Sequence, residues 1–255
     1  MLFRSRVGAG GTSDLAVAAV KIRVGALLLA LVLWELAGHQ LTGRAALMTP
    51  LPSGILRALV TLTLDGTLPV ALLRSALRVA LSSGVAVAVG VPLGALVAAA
   101  PRLGPALDAP LRVLRPVPPV AWVPLTLVWF GVTELQQVVV LAFAATLVVA
   151  SGTARAVAGV PPNLVLAARN LGITGSALGF RLRAASPGVW LAVREAVGTA
   201  WFVLVAAELL AASPGLGVLI LEGRDMLDPA RSFVGMLALA ACGVGSDALL
   251  RRLSA

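Results

Sequence analysis

Residues 161–217 read PPNLVLAARNLGITGSALGFRLRAASPGVWLAVREAVGTAWFVLVAAELLAASPGLG. Pro161 and Pro162 end the preceding segment, and Asn163 has a side chain suited to capping a new helix. Leu164, Ala167, Ala168 and Leu171 then recur at spacings of three and four, which gives one small apolar face. Gly172 and Gly175 stop that helix and turn the chain. An Arg-bearing loop helix therefore sits between two strongly apolar runs. Two readings follow from the spacing alone. The helix rests on lipid, or it is a docking element whose small side chains let another protein approach closely, with Arg169 pairing with acids at the rim.

Composition sets the surroundings of this loop. The chain has 255 residues, of which 59% are hydrophobic and 12% charged, with a mean hydropathy of +1.00. A water-soluble domain of this length needs more charge to cover its surface. The 26 Gly and 16 Pro fit membrane helices, where both are commoner than in soluble ones. The class is a polytopic all-α membrane protein. The net charge of +9 is spread between apolar spans and forms no single stripe, so it speaks for membrane topology and against nucleic acid. Cys242 and His39 each stand alone, which excludes an intrachain disulfide and a His/Cys metal cluster. Lys21 is the sole lysine and G-x-x-x-x-G-K-[ST] is missing, so this chain builds no phosphate-binding loop of that kind. H-E-x-x-H is missing too, and one His at an interface supports no Ser/His/Asp set. The chain is not read as an enzyme.

A spanning helix needs roughly 20 mostly apolar residues. Charge-poor runs predict six such helices, at about 20–40, 72–100, 111–131, 134–155, 186–212 and 229–250. That leaves a short N-terminal tail, 1–19, and a single transmembrane domain over 20–255. The first span, with its basic flank, has some look of a signal peptide, but Glu35 interrupts it before a poor cleavage site. Thr49 to Gly54 is a turn cluster, and the helical spacing that follows predicts a short interfacial helix. Arg4, Arg6, Lys21, Arg23, Arg102, Arg112, Arg115, Arg155, Arg169, Arg181, Arg183, Arg251 and Arg252 fall on one side of these spans. The positive-inside rule then puts both termini and the 163–175 loop in the cytoplasm.

The loop resembles the E-A-A-x-x-x-G signature of binding-protein-dependent ABC importer permeases, here Leu166-Ala167-Ala168-Arg169-Asn170-Leu171-Gly172. Further matches run from about residue 20 to 250. They include Pro50-Leu51-Pro52-Ser53, the block Leu114-Arg115-Pro116-Val117-Pro118-Pro119-Val120-Ala121-Trp122-Val123-Pro124-Leu125, Trp129-Phe130-Gly131, Ala200-Trp201, Ala206-Ala207-Glu208-Leu209 and Gly215-Leu216-Gly217. Together they are similar to the nitrate/sulfonate/taurine/bicarbonate branch. The resemblance implies the type I importer permease (MetI-like) fold in the bacterial cytoplasmic (inner) membrane. It implies a coupling helix at about 163–175 gripped by a separate ATPase, with Leu164, Ala167, Ala168, Arg169, Leu171, Gly172 and Arg183 as contact residues.

As partners it implies two ATPase subunits that bind ATP and Mg, an extracytoplasmic solute-binding protein, a second permease chain forming a homodimer, and membrane lipid. This chain itself would carry no cofactor. Two departures stand out: Leu166 replaces the motif's Glu, and Leu182-Arg183 replaces its downstream Leu-Pro, although Pro187 is retained.

Candidate path residues follow. Pro116, Pro118, Pro119 and Pro124 fall within nine residues and preclude a regular helix. Broken backbone at membrane depth is tolerated where protein or a water-filled cavity covers it, so Pro118, Pro119 and Trp122 read as path-lining or as a kinked entry helix. Arg194 and Glu195 lie about 12–13 Å along the fifth span, too deep to face lipid unpaired. An ion pair and a solute contact are the two roles open to Arg194. Glu208 lies just before the Ser213–Gly217 turn, which is similar to the family's outer re-entrant loop, with Leu216 within it a gate candidate. Arg74 and Arg78 share a helix face, with two readings: attraction of an anion arriving from outside, or snorkelling to headgroups, which is the commoner case and the one expected. Gly90 and Gly94 are spaced for close helix packing. An ion-coupled secondary transporter would need membrane carboxylates such as Glu195 and Glu208, and a non-transporting membrane scaffold is the third reading. Neither accounts for the Ala-Ala-Arg loop.

Overall fold

The computed structural model describes residues 10–100, 103–172, 176–211 and 213–254, and every regular element in them is helical. In chain order these are α1 (Gly10–His39), α2 (Arg44–Met48), α3 (Pro52–Leu64), α4 (Thr67–Ala99) and α5 (Leu103–Leu114). A 3-10 turn (Pro119–Trp122) leads into α6 (Val123–Phe130), α7 (Glu134–Ala158), α8 (Pro162–Asn170) and α9 (Ala177–Ala184). Then come α10 (Ser186–Ala211), α11 (Leu216–Asp225) and α12 (Pro229–Leu253). The tail expected over 1–19 is already helical from Gly10, and its first nine residues lie outside the described ones.

Among the described residues five helices are long and apolar enough to cross a membrane: Lys21–His39 within α1, α4, α7, α10 and α12. The sixth span, expected as one helix over 111–131, is instead α5 and Pro119–Phe130, bent against each other by 89°. The cause is local. Pro116, Pro118 and Pro119 remove three of four successive backbone donors, so α5 ends at Leu114 and the chain restarts as a 3-10 turn. The interfacial helix expected after the Thr49–Gly54 turn is α3, with Pro52 in its first turn. Glu35 ties it to α1 by accepting from the Ser53 backbone N–H at 3.0 Å and the Ser53 hydroxyl at 2.6 Å.

Three further helices start at side-chain caps. Thr133 Oγ1 accepts the Gln136 N–H at α7, Ser176 the Gly179 N–H at α9, and Asp228 the Arg231 N–H at α12. Ahead of α4, Gly66 turns the chain at φ 82. Asp65 accepts the Thr67 N–H at 2.8 Å, a bond that holds its carboxyl below the ordinary value.

The centre of the bundle is α7, packed between α4 and α10. Of its most apolar stretch 61% is buried, against 6% for α1 and 11% for α12, so those two are peripheral. Small residues bring the axes together. A Cβ on Gly90 would sit 2.8 Å from the Val149 side chain, and one on Gly94 would overlap the Ala150 carbonyl. The Gly90/Gly94 spacing is therefore the packing device its pattern suggests. On the other flank of α7, Gly152 meets Ala192 and Ala156 meets Gly188. Replacing Gly94 with Val is expected to destabilise the chain by about 1–3 kcal/mol by overpacking this contact, read as a lower unfolding temperature in detergent.

Candidate functional site

The loop helix α8 begins at Pro162, one residue before the expected cap, and Asn163 Oδ1 accepts the Leu164 N–H at 3.1 Å. It ends where Gly172 adopts φ 74, a left-handed turn that glycine accepts without a Cβ penalty. Val165 rests on a small cluster built from Val157 and Val160 at the end of α7, Leu178 and Leu182 of α9, and Val189 of α10. Leu164, Ala167 and Leu171 point the other way and form one exposed apolar stripe, with Leu171 80% exposed. Ala168, expected on that stripe, is buried instead, because it stands at the stripe's edge, about 60° around the helix from the seated Val165. The Arg169 side chain and residues 173–175 lie outside the described residues. Arg183 is exposed on α9 nearby. A cleft of about 290 Å³ opens beside α8, lined by Arg155, Gly159, Pro161, Leu164, Ala184 and Pro187.

At the opposite end of the bundle lies a buried polar layer. Arg78 of α4 is 2% exposed, so it does not snorkel as its place on an apolar helix suggests. Its Nη1 donates to Glu208 of α10 at 2.7 Å, while Nε and Nη2 donate to Glu134 of α7 at 2.5 and 2.6 Å. Glu208 is fully buried and also accepts from the Ser75 hydroxyl at 2.7 Å and the Gly217 backbone N–H at 2.7 Å. Ser75 in turn accepts the Leu216 N–H at 3.0 Å. One carboxylate thus fastens the 213–217 turn to α4 and α10. A Cβ on Gly215 would overlap that carboxylate, which explains the glycine by space alone, since its φ of 176 is ordinary extended backbone.

The layer continues along α7. Gln136 and Gln137 are completely buried. Gln136 Nε2 donates to Thr126 Oγ1 of α6 at 2.8 Å, and Gln137 donates to the Ser213 hydroxyl. The broken segment and the 213–217 turn are therefore both pinned to α7. This corrects two path assignments. Glu208 and Leu216 are inside the chain, the first as the anchor of the turn and the second as a core side chain bonded through its backbone to Ser75. Trp122 is half-buried and packs on Phe143 of α7, ring centroids 5.0 Å apart at 58°. Pro118 is exposed and Pro119 half-buried beside it.

Of the two roles open to Arg194, the structure holds the ion pair. Its Nε and Nη2 donate to Asp247 of α12 at 2.9 and 2.7 Å, and Arg251 shares the same carboxylate. The residues that sequence reasoning missed are Ser75, Glu134, Gln136, Gln137 and Ser213. The signal available for them was charge and amide pairing: an Arg, two Glu and two Gln on apolar helices each need a partner.

Comparison with known proteins gives a family. Residues 90–255 match the family model described as binding-protein-dependent transport system inner membrane component. The chain is 32% identical over 247 residues to the taurine transport system permease protein TauC of Escherichia coli, covering 92% of this chain and 89% of that protein. It is 32% identical over 223 residues to a putative aliphatic sulfonates transport permease protein, SsuC of Bacillus subtilis, covering 87% and 80%. A nitrate import permease protein, NrtB of Synechocystis, is 29% identical over 188 residues, covering 73% and 66%.

Proposed function

This chain belongs to the binding-protein-dependent transport system inner membrane components and is a multi-pass permease subunit of an ABC importer, and from that premise we propose how it works. Two copies enclose one path, each a single transmembrane domain over 20–255 with both termini in the cytoplasm. Two separate ATPase subunits bind ATP and Mg, and each grips the α8 stripe of Leu164, Ala167 and Leu171, with Arg169, Gly172 and Arg183 at its edge. An extracytoplasmic solute-binding protein delivers cargo at the other face. The substrates in the relatives' names suggest a small sulfonate, taurine or a nitrate-like anion. The path runs along the broken segment at Pro118 and Pro119 and along the open face of α10, which the segment touches.

The observation that carries this reading is the split personality of α8. Val165 seats it against the ends of α7, α9 and α10 and Ala168 is buried, while its other apolar face has no cover among the described residues. A helix held on one side and open on the other transmits a push into the spans it rests on. An ion-coupled mechanism fits less well, since Arg78 and two other donors occupy Glu208. The test is co-expression with candidate ATPases and purification by a tag on this chain. An ATPase that co-elutes and drives ATP-dependent uptake in proteoliposomes supports the reading; a chain that transports alone overturns it.

A further inference from the structure

The open face of α10 carries Leu191, Glu195, Gly198 and Phe202, at successive spacings of four, three and four. These four are exposed, whereas Ala192, Ala196, Ala200 and Val203 on the opposite side are buried against the bundle. Glu195 sits about 14 Å along the helix axis from Ser186, roughly 9 Å inside the hydrocarbon boundary if the helix is centred in a 30 Å core. Among the described residues no hydrogen bond or ion pair reaches its carboxylate. Arg194 is next in sequence but turns toward α12, where Asp247 occupies it. The other exposed charges of the candidate spans lie nearer an end of their span: Lys21 and Arg23 in Lys21–His39, Arg74 in α4, Glu134 and Arg155 in α7, Arg251 and Arg252 in α12. An unpaired carboxylate at this depth does not face lipid.

We propose that Glu195 faces the aqueous path and makes it selective for solutes that carry a positive group, such as a protonated amine. This rests on the permease reading above and deepens it. Two-fold pairing puts one such carboxylate on each side of a single path. Two like charges raise the local concentration of ammonium groups and lower that of bare anions. The solute class is then a zwitterion or an amine-bearing compound, an aminosulfonate being favoured over nitrate. Gly198, one turn further along the same face, leaves open space: nothing lies within 4 Å of a Cβ built there. That openness suits both a passage and a reporter.

The test uses the complex with its ATPase in nanodiscs, with Cys242→Ala to remove the only native thiol and Gly198→Cys as reporter. Methanethiosulfonates bearing a trimethylammonium or a sulfonate head are the cationic and anionic probes. Both label Cys at position 198 from water, and the ratio of cationic to anionic rates falls about tenfold when Glu195→Gln is added, the size expected of one charge about 6 Å away in a partly aqueous setting. A reporter silent to both charged probes yet reactive to a lipid-soluble maleimide overturns the proposal, as does a ratio indifferent to Glu195→Gln. The permease reading fails separately, if no ATPase accompanies the unmodified chain.

Discussion

Arg78→Met lowers the stability of the detergent-solubilised chain by about 3–5 kcal/mol, the range for breaking a buried ion pair by removing one partner. Arg78 is the cation that two carboxylates share. Glu134 is 63% exposed on its side chain, so its half of the arrangement is screened and contributes little. Glu208 is different. It has no exposure at all, and without Arg78 its charge is left with one hydroxyl and one backbone N–H. The loss therefore falls on the 213–217 turn and on the junction of α4 with α10, and ATP-driven uptake falls with it. Adding Glu208→Gln should restore more than half of the lost stability, because an amide oxygen still accepts the Gly217 N–H and no bare charge stays buried. Thermal unfolding of the two variants beside the parent measures this. If Arg78→Met unfolds like the parent, or the double variant is no better than the single one, the bond between Arg78 and Glu208 is not what holds the turn.

How much of this was legible in the sequence depended on what each signal measures. Hydropathy found α4, α7, α10 and α12 within a few residues at most boundaries, because lipid and protein interior both demand apolar side chains. For the same reason it could not tell the central α7 from the peripheral α1 and α12. The Pro116–Pro124 run announced broken backbone but carried no angle; the 89° bend depends on how α6 seats against α7 and α10. Periodicity gave α8 a single small apolar face, yet the face is split. Ala168 is turned inward on the side of Val165, which packs on the ends of α7, α9 and α10, and spacing within α8 does not tell which edge of its face those neighbours cover. Arg78 was misjudged because snorkelling is the default for an Arg near a helix end, and nothing local in the sequence places Glu208 and Glu134 beside it. Arg194 was read better, since a deep charge forces a partner and Asp247 supplies it.

The split face of α8 makes the coupling proposal separable from stability, and this gives the other large effect. Leu171→Asp is expected to abolish co-elution of the ATPase and ATP-driven uptake while leaving the unfolding temperature of the isolated chain unchanged. Leu171 is 80% exposed, so the chain itself gains little from it. In a closed interface the same Leu would bury apolar area worth about 1.5–3 kcal/mol, and an Asp there adds the desolvation of an unpaired charge. A tenfold loss in affinity corresponds to about 1.4 kcal/mol, so the change at one site exceeds that, and two-fold assembly applies it twice. Ala168→Glu gives a different signature. Its side chain would enter the seat of α8 beside Val165, so the isolated chain loses stability together with the ATPase. Ala167→Glu, on the exposed stripe, should behave like Leu171→Asp. Were Leu171→Asp and Ala167→Glu both to keep the ATPase and uptake intact while only Ala168→Glu failed, the grip would lie elsewhere and α8 would be a structural brace between the ends of α7 and α10.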